Sequence, residues 1–274
     1  MPTPPWKQIL VASVVGAVAI FAAAGLTPTD AAPQPTAPGM SRAVGQSFVV
    51  TCSTTKVGAF DPIVMPGHTG MSHLHQFFGN RGITQDSTTA SLRRTGATTC
   101  SDGNDGSGYW VPTLTRGSTT INPTSVQAIY KKSVAARVRA HPQGLMLIAG
   151  NSKATTAQST GITAWSCGTS ATRSNTPLVC SGTTPLVASI VFPECWDGKN
   201  LDSADHKSHV SYATRGTCKA GTIPLAQLEL RVVYPRQSTV SGLALASGSI
   251  SSMHADFMNG WKQRGFESKV DRLN

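Results

Sequence analysis

The sequence predicts a mainly β protein, an antiparallel β sandwich or jelly-roll-like single domain with long loops and a short C-terminal helix. Three observations lead there. Apolar runs are short, of strand length, and are separated by turn residues such as Asn122-Pro123 and Gly150-Asn151. Leu228, Leu230 and Val232 alternate with Glu229, Arg231 and Val233, the period of two expected of a half-buried strand. Helical spacing is sustained only at the end, through Phe257, Trp261, Phe266, Val270 and Leu273. No internal repeat is present, which argues against a propeller or solenoid.

The elements follow in chain order. Only Lys7 charges the opening, Ile9 to Ala24 is free of charge, and Ala22–Ala24 and Ala31-Ala32 supply small residues for peptidase cleavage. This pattern reads as a signal peptide over residues 1–32, or as an N-terminal anchor, the apolar run being near the short limit for a bilayer. Thr27 to Met40 contains five prolines or glycines, so residues 33–43 are expected to be a disordered linker. A single secreted β-rich domain is expected over residues 44–274. Its strands are expected at Phe48–Cys52, Tyr109–Leu114, Val126–Tyr130, Leu145–Ala149, Ile162–Trp165, Leu186–Phe192 and Leu225–Tyr234.

All six cysteines fall in that domain. An even count in an exported chain favours disulfides, and pairing sequence neighbours (52 with 100, 167 with 180, 195 with 218) is the simplest of about 15 arrangements. There is no Cys-x-x-Cys and no zinc-ribbon spacing. The net charge is +10, and it is unchanged when Lys7 and Asp30 leave with the leader. Such a balance suits an anionic surface. The basic residues are scattered, with no basic helix and no interleaved aromatics, which argues against nucleic acid. Membrane contact is expected only through an uncleaved leader.

Five of the seven histidines fall in three short polar motifs, Met71-Ser72-His73-Leu74-His75, Asp205-His206-Lys207-Ser208-His209 and Met253-His254-Ala255-Asp256. Imidazole is the commonest metal ligand and the usual proton carrier near neutral pH. His73 and His75 share a face if their segment is extended. The same holds for His254 and Asp256, although Asp256 is also placed to cap the final helix. His206 and His209, three apart, share a face of a helical turn, with Asp205 beside them to orient an imidazole. His68 and His141 stand apart and read as loop residues.

Two chemistries suit the set His73, His75, Asp205, His206, His209, His254 and Asp256. One is a divalent metal held by three or four of the imidazoles of His73, His75, His206, His209 and His254, with a carboxylate completing the set and water in an open position. Zinc would suit hydrolysis, and copper or iron oxidation. The other is metal-free acid–base catalysis by histidine and aspartate. The polar loop Pro193 to Asp202 adds Trp196, Asp197 and Lys199 as substrate contacts, and Tyr109 and Trp110 offer rings for stacking on sugars. Signatures of serine nucleophiles, zincins, P-loops and dinucleotide sites are absent.

Four ordered blocks carry a family resemblance. They are Phe60-Asp61-Pro62-Ile63-Val64 with Ser72-His73-Leu74-His75-Gln76-Phe77-Phe78-Gly79, then Gly108-Tyr109-Trp110-Val111-Pro112, then Phe192 to Leu201 continuing to Asp205–His209, and lastly His254-Ala255-Asp256-Phe257-Met258-Asn259-Gly260-Trp261. Together they resemble a family of secreted proteins from fungi and actinobacteria, the domain of unknown function numbered nineteen ninety-six. The resemblance implies export and an association with carbohydrate or wall-associated modules, but no reaction. The expectation is an exported enzyme acting on polysaccharide or cell-envelope glycan, with a non-catalytic glycan- or wall-binding module as the alternative.

Overall fold

A computed structural model describes residues 45–274. The expected leader and linker lie outside the described residues, which fall within one unit of the fold.

Ten principal strands are labelled here in chain order: β1 (Ser47–Cys52), β2 (Thr54–Gly58), β3 (His75–Gly79), β4 (Gly108–Pro112), β5 (Ser125–Lys131), β6 (Met146–Gly150), β7 (Thr163–Cys167), β8 (Leu186–Val191), β9 (Gln227–Tyr234) and β10 (His254–Met258). They build two five-stranded sheets, ordered β1-β5-β9-β8-β7 and β6-β10-β4-β3-β2. Every neighbouring pair is antiparallel. The seven strand segments expected from the sequence all contain strands. β2, β3 and β10 add to them, and shorter ribbons decorate the loops.

Alternation explains how the sheets meet. Val126, Ala128 and Tyr130 of β5 and Leu228, Leu230 and Val232 of β9 face inward from the first sheet. Phe78, Tyr109, Val111, Leu147, Ala149, Ala255 and Phe257 answer from the second. A sandwich core results, because side chains one residue apart leave a strand on opposite faces. The outer face of the second sheet is also covered. There Phe77, Trp110 and Met258 join Phe60, Ile63, Ile83 and Leu92 in a smaller apolar cluster. That second layer closes over the sheet's outer face and sets the walls of the site described below.

Two helices close the ends. α1 (Thr89–Thr95) begins with a capping box in which Thr88 and Ser91 each bond the other's backbone amide. α2 (Gln263–Asp271) buries Phe266 and Val270. It starts later than the apolar spacing suggests, since Phe257 belongs to β10, paired on both sides, and Trp261 lies in the connecting turn. The turn is tight: a Cβ on Gly260 would collide with the Gly106 carbonyl oxygen. Trp261 then stacks on Phe266, ring centroids 4.8 Å apart.

The three disulfides join Cys52 to Cys100, Cys167 to Cys180 and Cys195 to Cys218, the sequence-neighbour pairing. Among the described residues no helix is long and apolar enough to cross a membrane.

His141 is more than a loop residue. It lies outside the strands yet is buried against Tyr130, Phe257 and Phe266. Its Nε2–H donates to the Ala226 carbonyl at 2.7 Å, while Nδ1 has no partner. Burial pushes its pKa down to about 4, against the smaller opposing effect of the Ala226 carbonyl. The folded state therefore excludes a proton that the unfolded chain takes up below its ordinary value of 6.5. This contribution is fully present above pH 6.5 and is lost as pH falls toward 4. It amounts to at most about 3 kcal/mol. Urea unfolding of the native protein and of His141→Gln should show a shallower acid loss in the variant between those pH values. Identical slopes would contradict the assignment.

Candidate metal centre

The register of the second sheet carries three histidines to one place. His75 opens β3 opposite Pro112 of β4. Asp256 of β10 lies opposite Trp110 on the other side of β4. Continuing that register by two residues brings His254 level with Pro112. His75, His254 and Asp256 therefore leave the same outer face, with Pro112 between the two imidazoles. His73 enters from the segment before β3.

Their ring centroids stand 4.2 Å (His73–His75), 5.0 Å (His73–His254) and 5.7 Å (His75–His254) apart. Each offers a nitrogen within 4.8 Å of the other two. Nε2 of His73 is 3.2 Å from Nε2 of His254. Nitrogens held tetrahedrally about 2.0–2.1 Å from zinc stand about 3.3–3.4 Å apart, so this pair is already at ligand spacing. Without an ion, a proton on His73 Nε2 would make the same contact a hydrogen bond.

The orienting bonds are more telling than the distances. Nδ1–H of His75 donates to the Phe60 carbonyl at 2.9 Å, and Nδ1–H of His254 donates to the Ser252 carbonyl at 2.8 Å. Each bond fixes the tautomer that leaves Nε2 as a lone pair, the usual way a protein holds a metal-binding imidazole. His75 Nε2 is buried with no other partner. Burial first, with the neighbouring imidazoles adding to it, depresses His75 and His254 to about 3; burial also lowers His73, which Asp61 partly counteracts. All three are neutral at neutral pH, as ligation requires.

Two carboxyls complete the group. Asp61, His75 and Asp256 also offer ligand atoms within 4.8 Å of one another. Asp61 Oδ1 accepts from the amides of Ile63 (2.9 Å) and Val64 (3.0 Å), which pins its side chain. Asp256 is buried with neither oxygen hydrogen-bonded. Burial first, and then the Asp61 charge, raise its pKa well above the carboxylate range, while Lys207 opposes them. Asp256 Oδ2 lies 4.0 Å from His254 Nε2. Burial disfavours the charged form of both groups, which weakens any ion pairing across this contact. A bare buried carboxyl costs free energy that a bound cation would offset. His73 is half-buried, and it forms the solvent side of the group.

Of the five expected histidines, the structure brings three together. Among the described residues, the histidines that group as ligands are His73, His75 and His254. His206 and His209 occupy no helical turn: His206 sits in the left-handed region at φ 56°. Its Nδ1 faces Asp202 at 2.9 and 3.0 Å. His209 has both nitrogens engaged, Nε2–H donating to the Met146 carbonyl at 2.8 Å and Nδ1 lying 2.9 Å from Ser203 Oγ. With the Met146 amide bonded to the Leu201 carbonyl and Lys207 Nζ to the Gly150 carbonyl, the loop covers the open edge of β6. An uncovered edge is an aggregation liability, and this cover explains the motif's density.

Asp205 organises the same loop, accepting from the Ser208 and Lys207 amides and from the Ser203 and Ser208 hydroxyls, which hold its carboxyl far below the usual range. His206 and Asp202 border a cleft of about 590 Å³ that also includes Ile63, Met146 and Met258.

The expected sugar-stacking rings do not form a platform. Tyr109 and Trp110 are fully buried on opposite faces of β4. Tyr109 OH donates to Asp105 at 2.6 Å within a network that runs through Tyr130 to Trp261. Trp196 is half-buried, its Nε1–H donating to the Asn200 carbonyl at 2.6 Å. Asp197 caps that turn through the Lys199 and Asn200 amides, and Lys199 is exposed. Asp61 is the residue that the histidine pattern misses. Its only signal was its place in the Phe60–Val64 block.

A family profile described as a domain of unknown function (DUF1996) matches residues 61–261, a span that includes all five grouped side chains. No curated protein and no solved structure matches the chain.

Removing the edge cover should separate structure from ligation. His209→Ala leaves the Met146 carbonyl unpaired and is expected to cost about 1–3 kcal/mol. Thermal unfolding would register that loss while zinc affinity, followed by calorimetry, stays unchanged. A loss of zinc binding in a folded variant would return His209 to the ligand set.

Proposed function

Because the chain belongs to the DUF1996 family, whose description carries no reaction, we propose its function from the centre itself. It is an exported, metal-dependent enzyme acting on polysaccharide or cell-envelope glycan. The ion is held by His73, His75 and His254, with Asp256 beside it and Asp61 supporting. The observation that carries this reading is the pair of Nδ1–H bonds to the Phe60 and Ser252 carbonyls, which aim two lone pairs at the point that His73 also reaches.

Three imidazoles leave a coordination position open for water or a substrate oxygen. A divalent cation there would lower the pKa of bound water and polarise the bond under attack. The protein's own contribution is distinct. It keeps three imidazoles neutral, fixes two of their tautomers, and excludes water from Asp256. A cation there would stabilise Asp256 as a carboxylate able to accept a proton. Zinc fits hydrolysis, and copper would shift the same ligands toward oxidation.

Three disulfides agree with an oxidising, extracellular setting. The net charge of +10 favours an anionic polymer. The wall-binding alternative retains one support. Trp196 borders a separate cleft of about 390 Å³ together with Arg137 and Arg139.

Elemental analysis after loading with zinc or copper should find about one ion per chain in the native protein and none in His75→Ala/His254→Ala. Equal metal content in the two would overturn the centre. Product release from a panel of wall polysaccharides should need the loaded protein and stop on chelation. Retention of the metal without any product would reject the glycan reaction and leave the centre standing.

A further inference from the structure

A second feature, outside the metal centre, lies where α1 ends and α2 begins. A cleft of about 450 Å³ is bordered by Arg93, Lys262, Arg264, Asn104 and Gln143 over a floor that includes Gly106 and Gly260. No carboxylate and no aromatic ring borders it. The nearby acids are already engaged. Asp102 pairs with Lys269 at 2.8 Å, Asp105 accepts from Tyr109, and Glu267 accepts from Gln263 Nε2 at 2.9 Å. Three cations therefore share a concave surface with no counter-charge on its walls.

Arg93 makes this more than a basic patch. Its Nη1 is shut off from solvent and has no hydrogen-bond partner among the described residues. The guanidinium is thus not neutralised by a partner on that side, and Arg93 itself lines the cleft. The first turn of α2 adds donors. Its cap residue, Lys262, makes no side-chain capping bond, and no acidic residue lies in the first turn. The leading amides of the helix are thus free to meet a negative group, whose charge the helix end also favours.

We infer that this cleft is an oxyanion site for an acidic polysaccharide, one carrying sulfate esters, phosphate esters or uronate carboxylates. Guanidinium pairs with such groups through parallel hydrogen bonds. The lack of aromatic rings removes the stacking on which single-stranded nucleic acids depend. The cleft's volume falls in the range of ligand sites, well beyond a lone inorganic ion. The site is independent of the proposed reaction and would hold a charged polymer on the protein whatever the metal does.

The test uses the full chain at low ionic strength, with dextran sulfate, neutral dextran, inorganic sulfate and a single-stranded oligonucleotide as probes. The native protein should bind dextran sulfate, should bind inorganic sulfate more weakly, and should not bind neutral dextran. Arg93→Gln/Lys262→Gln/Arg264→Gln should weaken dextran sulfate binding by about tenfold or more. The control Lys153→Gln/Arg215→Gln/Lys219→Gln removes the same charge from exposed sites elsewhere and should change binding by less than about twofold. Should the first triple fail to fold, Lys262→Gln/Arg264→Gln alters only exposed side chains and should still cost about threefold. Equal losses in the cleft and control variants, or no loss in either cleft variant, would overturn the site. An oligonucleotide bound more tightly than dextran sulfate through the same residues would overturn the polysaccharide assignment. Metal content unchanged in the cleft variants keeps this outcome separate from that of the metal centre.

Discussion

The register of β10 is the constraint on which the rest depends. Held between β6 and β4, this strand turns Ala255 and Phe257 into the sandwich core and His254, Asp256 and Met258 to the outer face. A slip of one residue would exchange the two sets. The site would then be buried in the core, and the core would lose two of its members. The fold and the centre are thus specified by the same hydrogen-bond ladder.

Parity alone would leave polar side chains on an open sheet face. The second apolar layer changes their environment. Phe60, Ile63, Phe77 and Met258 enclose the neighbouring part of the face, so His75, His254 and Asp256 are almost wholly removed from water. Burial depresses the His75 and His254 imidazoles to about 3 and raises the Asp256 carboxyl well above the usual carboxylate range. The arrangement is costly on its own, since His75 Nε2 and both Asp256 oxygens lack partners. A cation among His73, His75 and His254 would satisfy His75 Nε2, and its charge would offset the burial of Asp256. Sites that contradict the ordinary rules of burial are where function is expected.

Much of this was legible in the sequence, and what was not has identifiable causes. Short apolar runs and turn residues located most strands, and neighbour pairing described the disulfides. The spacing of His73 with His75, and of His254 with Asp256, correctly implied a shared face. Spacing did not reveal which faces meet. His206 and His209 have the same chemistry as the grouped three, yet their loop is spent on the edge of β6. Tyr109 and Trp110 sit beside polar residues in sequence but inside two different apolar layers in space. Asp61 had no histidine beside it and no period to mark it. Its role emerges only when the loop after β2 folds over the start of β3.

Whether His73, His75 and His254 bind one divalent ion is tested most directly by anomalous diffraction from crystals of the full chain soaked in zinc. A single strong peak is expected about 2.0–2.1 Å from a nitrogen of each of the three imidazoles. A peak at His206 and His209 instead, or three imidazoles left in mutual contact around no peak, would contradict it.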